Sequence, residues 1–112
     1  MSGYKMATEI AEGSEFPSAF FIGNDSMAIG ALRAFNEKGI RVPEDISIIS
    51  VNDIPSAKFS FPSLSTVKIH SEFMGEEAVN LIFQRLNNQK KIPIKVVIPT
   101  ELILRNTTKD NN

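Results

Sequence analysis

Ala19-Phe20-Phe21-Ile22-Gly23-Asn24-Asp25-Ser26 and, further along, Ile46-Ser47-Ile48-Ile49-Ser50-Val51-Asn52-Asp53 decide the fold. Each is a short apolar run that stops at an Asn-Asp pair. Ala19 to Ile22 is unbroken in its apolarity, the mark of a strand buried on both faces. The second run is β-branched and apolar, and reads as the next strand. Between them, Met27 to Lys38 reads as a helix whose apolar residues Met27, Ile29, Ala31, Leu32 and Phe35 cover more than one face, with Gly39 as its C-terminal cap. A strand, a helix and a strand make a right-handed βαβ unit with its strands parallel in one sheet. In open α/β sheets, ligands sit beyond the carboxyl ends of the strands. Asn24 and Asp25 from one strand, Asn52 and Asp53 from the other, thus come to the same edge and are the candidate ligand-binding residues.

Outward from this unit, Ser2 to Glu12 reads as a helix with Tyr4, Met6 and Ile10 as its apolar positions, capped by Ser2 and stopped by Gly13. Ile40 to Asp45 is a connection, and Ile54 to Pro62 is irregular. Leu64 to Ile69 favours an extended chain. Ser71 to Asn88 is the longest helix, with Phe73, Met74, Ala78, Leu81, Ile82 and Leu86 spaced as a single stripe. Ile94 to Ile98 and Glu101 to Leu104 read as strands divided by Pro99. The ordered domain is expected over residues 1–106, with a flexible polar tail over 107–112.

The composition excludes several classes of function. With 112 residues and a net charge of −1, the chain lacks the clustered basic excess that phosphate binding requires, so it is not read as the DNA-contacting part. The absence of Cys removes disulfides, thiolate zinc sites and thiol catalysis. No stretch approaches the ~20 apolar residues of a membrane helix, and Met1-Ser2-Gly3-Tyr4-Lys5 does not lead into a signal-peptide run. His70, the one His, has no acid beside it in sequence and reads as a surface residue rather than a base or a metal ligand. No Gly-x-Ser-x-Gly elbow and no Gly-rich nucleotide loop is present. No enzyme, no cofactor and no metal is therefore expected.

The blocks Phe21-Ile22-Gly23-Asn24-Asp25-Ser26-Met27-Ala28-Ile29-Gly30-Ala31-Leu32, Gly39-Ile40-Arg41-Val42-Pro43-Glu44-Asp45-Ile46-Ser47, Asn52-Asp53-Ile54-Pro55, Leu64-Ser65-Thr66-Val67, Met74-Gly75 and Pro99-Thr100-Glu101-Leu102 together resemble the lactose-repressor and galactose-repressor family of bacterial regulators. The segments around Asn52 and His70 are similar to galactose-operon repressors of Gram-positive bacteria. The resemblance implies an α/β fold of the type I periplasmic-binding-protein kind, of which this chain is roughly the last third: the βαβ part of the C-terminal subdomain with a helix and a strand of the N-terminal one. It implies a hinge at Thr66, Val67, Lys68 and Ile69 and another at Pro99 and Thr100. It also implies a cytoplasmic repressor of sugar-utilisation genes that takes a sugar or sugar phosphate as effector, forms a homodimer, and reaches operator DNA only through a helix-turn-helix headpiece that this chain lacks.

Each site residue carries a second reading. Asn24 matches the family's ligand-contacting Asn, and is also placed to cap the following helix. Asp25 is a contact or a first-turn residue favoured by the helix dipole. Asn52 stands where relatives carry a ligand-binding Asp, which removes a charge; Asp53 is a contact or holds its loop through backbone donors. Ile69 stands where relatives carry a cleft-facing Gln, and is a cleft residue or a packed hinge residue. The resemblance places a dimer surface on Tyr4, Met6, Ile29, Leu32, Arg33, Phe35, Phe59 and Ser60, against their use as simple core. A sugar-binding transport receptor shares this fold and is the alternative function.

Overall fold

The computed structural model describes residues 2–87 and 92–110. The chain divides into two units, Met1–Lys68 with Glu101–Asn112, and Ile69–Thr100. The first holds α1 (Gly3–Ala11), β1 (Ala19–Phe21), α2 (Asp25–Glu37), β2 (Ser47–Asn52), a 3₁₀ turn (Pro55–Phe59), β3 (Ser65–Lys68) and β4 (Glu101–Ile103). Its sheet has the order β1-β2-β3-β4. The pairs β1–β2 and β2–β3 are parallel, while β4 runs antiparallel to β3.

Local chemistry sets the helix ends. The Ser2 hydroxyl accepts from the Lys5 N–H at 3.2 Å and starts α1. At the end of α2, the Ile40 N–H donates to the Phe35 carbonyl and the Gly39 N–H to that of Asn36. This closure is the Schellman motif, and Gly39 supplies its left-handed residue with φ of 75°. α1 lies against the start of α2 with no room between backbones. A Cβ on Gly3 would stand 1.8 Å from the Met27 carbonyl oxygen. The core joins Ala7 of α1, Ala28, Ala31, Leu32, Ala34 and Phe35 of α2, and Ile46, Ile48, Ala57 and Leu64 beneath them.

Only one face of the sheet is covered in this way. Phe20 and Ile48 are register partners, and Phe20 stacks on Phe35 of α2 with ring centroids 6.1 Å apart. Their neighbours Phe21 and Ile49 turn to the opposite face by the alternation of a strand, and there Phe21 is 66% exposed. The expectation of a strand buried on both faces is thus corrected: β1 is an edge strand with one covered face. A second correction concerns Ile94 to Ile98, which forms no strand. Ile94, Val96 and Val97 are exposed, and β-branched residues make a strand only where a neighbouring chain supplies ladder partners. A third concerns the expected tail. Thr107 is fully buried: its hydroxyl donates to the Ile48 carbonyl at 2.7 Å and accepts from the Ser65 N–H at 2.8 Å, and its own carbonyl accepts from the Ile48 N–H. β3 begins at Ser65, opposite Ile49, so Ile48 has no β3 partner and the returning chain takes that place. Packing therefore continues past residue 106, through the Thr108 hydroxyl on Ser65 and the Lys109 ammonium on the Glu44 carbonyl.

The second unit holds α3 (Ser71–Asn87), none of whose residues is buried. Its stripe residues Phe73, Met74, Ile82 and Leu86 are all exposed. The expected helix end at Asn88 and the segment 88–91 lie outside the described residues.

Two outcomes follow for stability. Gly3→Ala must push α1 off α2 and should cost about 1–3 kcal/mol, whereas Gly75→Ala, whose Cβ meets nothing within 4 Å, should raise the helix stability of α3 by about 0.5–1 kcal/mol; thermal unfolding followed by circular dichroism reads both. In the connection after α2, the Arg41 guanidinium and backbone N–H bond Asp45 and hold its carboxyl below the usual carboxylate range. A depressed carboxylate stabilises above its unfolded pKa, and that contribution is lost as pH falls through the folded value. Asp45→Asn should therefore be less stable than the parent at neutral pH, and the gap should narrow below about pH 4, as urea unfolding across that range would record.

Candidate functional site

Register fixes the geometry of the sheet's carboxyl edge. Phe21 of β1 pairs with Ile49 of β2, and Asn24 and Asn52 each follow three residues beyond their strand's member of that pair. The two amides leave neighbouring parallel strands at the same edge. Asn24 is extended, with φ of −155°, and its Oδ1 accepts from the Met27 N–H at 2.9 Å. It therefore caps α2, and α2 starts two residues earlier than the apolar pattern alone gives. Capping uses the amide oxygen and leaves the NH₂ group. Asn52 closes β2 with φ of 124°, and Asp53 follows with φ of 59°. Such conformations favour glycine and cost on the order of 1–3 kcal/mol each. Asn52 is exposed, and its side chain makes no hydrogen bond among the described residues.

Asp25 is turned inward. Its carboxylate is fully buried and takes three donors: the Ser50 hydroxyl, the Thr66 hydroxyl at 2.7 Å and the Ile54 N–H at 2.8 Å. One side chain at the start of α2 thus ties together β2, β3 and the loop after β2. Three donors and the positive end of a helix offset the cost of burying the charge. The reading of Asp25 as a ligand contact is corrected, because its oxygens are occupied within the protein.

Asp53 is likewise committed. Its Oδ1 accepts from the Arg105 Nη1 at 2.8 Å, with side-chain exposures of only 17% and 14% for Arg105 and Asp53. Arg105 Nη1 also donates to the Leu64 carbonyl, and the Arg105 N–H donates to the Ser65 hydroxyl. Asp53 holds its loop as the alternative reading had it, but through a guanidinium and not through backbone donors. Its own N–H donates to the Thr66 hydroxyl. Ile69 opens the second unit and is half-buried. The division between units falls after Lys68 and after Thr100, at the two expected hinges. Thr66, Val67 and Lys68 themselves belong to β3.

The expected dimer surface separates into two sets. Leu32 and Phe35 are 5% and 1% exposed and belong to the core, which corrects their assignment: Phe35 stacks on Phe20 of the sheet, and Leu32 is packed within the same cluster. Ile29 packs half-buried against the same core, and the Ser60 hydroxyl is spent on the Ala57 and Pro62 carbonyls. Tyr4, Met6, Arg33 and Phe59 remain on the surface. There the Tyr4 hydroxyl donates to Glu37, which Arg33 also bonds, and Lys58 stands 5.3 Å from the Phe59 ring centroid. The Tyr4 hydrogen bond holds the Glu37 carboxyl below its ordinary range and the Tyr4 phenol above its own.

Ser50, Arg105 and Thr107 were not singled out from the sequence. The available signal for Ser50 was a hydroxyl inside the apolar run Ile48-Ile49-Ser50-Val51, which needs a buried partner. For Arg105 and Thr107, contact across 52 and 59 residues of chain leaves no local pattern to find. Among the described residues, no group of three or more acidic or His side chains could hold a metal, and no helix is long and apolar enough to cross a membrane.

The description "periplasmic binding protein-like domain" matches this chain over residues 2–108. A regulator of Streptococcus thermophilus, the HTH-type transcriptional regulator GalR, is 46% identical over 109 residues, which is 96% of this chain and 33% of that protein. The lactose operon repressor of Rhizobium radiobacter is 42% identical and is covered to 95%. Among solved structures, the lac repressor dimer bound to operator and the anti-inducer ONPF superposes with a TM-score of 0.87 at 30% identity, over 95% of this chain and 37% of that one. The chain spans about a third of the length of most such curated relatives (33%, 30% and 32%).

Replacing Asp25 by Ala would leave two hydroxyls and one N–H without their acceptor. The expected loss is about 3 kcal/mol or more, read by urea unfolding. A loss below about 1 kcal/mol would show that the carboxylate does not join these elements.

Proposed function

Because the chain belongs to the lactose- and galactose-repressor family of periplasmic-binding-protein-like proteins, we propose that it forms part of the effector-sensing and dimerising core of a cytoplasmic transcription repressor. The observation that carries this is the pair Asn24 and Asn52 at one edge of the parallel sheet, with the adjoining carboxylates Asp25 and Asp53 engaged inside the protein. What remains at that edge is amide chemistry. Sugar hydroxyls both donate and accept, and an amide matches them in both senses. Asn24 offers chiefly its NH₂ group, since its oxygen caps α2; Asn52 offers both ends. The effector is then a sugar or sugar phosphate, galactose-like, and the regulated genes serve its use.

In this reading the effector binds one arrangement of two subdomains better than another and shifts their equilibrium. The chain crosses at Thr66–Ile69 and at Pro99–Thr100, where rotation is absorbed. Tyr4, Met6, Arg33 and Phe59 contribute to the surface against a second copy. Two copies present paired DNA-binding headpieces to two operator half-sites. The names of the relatives are those of transcription regulators, which favours the repressor over a transport receptor.

A thermal-shift screen of the gene's full-length product against galactose, melibiose, galactose 1-phosphate and glucose 6-phosphate tests this. A true effector at a hundredfold excess over its Kd should stabilise the fold by about 2.7 kcal/mol. Asn52→Ala and Asn24→Ser should abolish that shift, the serine keeping a helix cap while removing the amide. Equal shifts in parent and variants would place the ligand elsewhere.

A further inference from the structure

Asn52 can recognise a ligand only if its backbone is held where no hydrogen bond of its own side chain holds it, and the residues that do so lie outside the pair of amides. Asn52 and Asp53 both have positive φ, 124° and 59°, a turn that relaxes unless it is restrained. From below, the Ile54 N–H is fixed on Asp25 and the Asp53 N–H on Thr66. These bonds restrain the outgoing side of the turn. The Asp53 side chain is restrained by one group alone among the described residues, Arg105. That ion pair differs from the others described. Its members are 17% and 14% exposed, while Arg33–Glu37 is 78% and 42%, Lys38–Glu12 43% and 63%, and Arg41–Asp45 70% and 32%. Arg105 is itself anchored at two further points, the Leu64 carbonyl and the Ser65 hydroxyl, so it is a fixed post and not a swinging surface cation. It follows β4 by two residues, on the segment that enters this unit at Glu101.

We propose that Arg105 is a positioning residue for effector recognition: through its shielded ion pair with Asp53 it holds the left-handed Asn52–Asp53 turn and so fixes the amide of Asn52 for the ligand. The inference rests on the proposed role of Asn52, and adds a residue from the returning chain to it. A single guanidinium nitrogen, Nη1, serves both Asp53 and the Leu64 carbonyl, and lysine keeps the charge and the donors on a shorter, more flexible stem that holds them less rigidly. Loss of the pair frees Asn52 and leaves Asn24, which is tied to α2 by its own cap.

The test is nuclear magnetic resonance of the backbone amides of the Asn52–Asp53 turn, which needs no ligand. Their shifts and their N–H to Hα couplings report φ, and the Asn24 backbone amide is the reference. In Arg105→Gln the Asn52 and Asp53 signals should move toward those of a relaxed extended chain while the Asn24 signals stay in place, with Arg105→Lys intermediate. Asp53→Asn cuts the same ion pair from the loop side and tolerates the left-handed backbone; it must reproduce the change, and it serves if Arg105→Gln does not fold. Unmoved Asn52 signals in folded variants overturn the inference. With a sugar found in the screen, the same variants should bind about tenfold more weakly with an unchanged Asn24 contribution; undiminished affinity also overturns it. If Asn52 moves but no sugar binds the parent, the positioning holds and the effector reading is the one that fails.

Discussion

The structure depends on one buried carboxylate. Asp25 sits at the first position of α2, with its negative charge at the positive end of the helix, and collects a hydroxyl from β2, a hydroxyl from β3 and an N–H from the loop between them. No hydrophobic contact could do the same, because apolar packing is non-directional and would leave the loop after β2 free to choose its path. Three directed bonds to one point fix where that loop begins. The edge geometry then follows: Asn24 is next to Asp25 in sequence, and Asn52 is two residues before the N–H that Asp25 holds. The two amides are placed by the same anchor from opposite sides.

Much of this was legible in the sequence because it depends on local pattern. The βαβ unit followed from two apolar runs and a helix between them, and Gly39 marked the end of that helix correctly. Asn24 gave two readings, cap and contact, and capping is realised in a way that leaves the contact chemically open. Capping spends the amide oxygen on the Met27 N–H and leaves the NH₂ group as a donor. The family resemblance added crossings at Thr66 to Ile69 and at Pro99 and Thr100, which periodicity does not contain; the two units of the chain divide after Lys68 and after Thr100.

What the sequence hid was long-range or depended on which face of an element is covered. Apolar residues around α2 suggested a second surface, yet Leu32 and Phe35 are buried in the chain's own core, Phe35 against Phe20. The apolar run of β1 gave no sign that α2 covers only one of its faces. Polar composition made residues 107–112 look like a tail, although one threonine there completes three hydrogen bonds left unmet where β3 starts late. Ile94 to Ile98 carries strand-forming residues that pair with no strand among the described residues. In each case the deciding quantity was a partner far away in sequence.

The distribution of charge at the sheet edge bears on how such a site could switch. A carboxylate that bound ligand directly would have to be stripped of water each time the site filled, at a cost that neutral groups avoid. Here the two carboxylates are shielded and satisfied within the protein, one by hydroxyls and an N–H, the other by a guanidinium. Their desolvation belongs to folding and drops out of the difference between filled and empty states. In the proposed function the amides left at the edge would exchange hydrogen bonds with water for hydrogen bonds with a polyhydroxy ligand, a trade close to neutral in free energy. A ligand held by such trades contributes to conformational choice only through how well two subdomains can meet around it, which is the differential affinity that an equilibrium shift requires. Fixed internal charges with neutral outward amides therefore suit a sensor more than a tight binder. In the proposed reading the tunable element is the turn that carries Asn52, whose positive backbone angles are held by the Arg105–Asp53 pair and by the Ile54 and Asp53 N–H bonds.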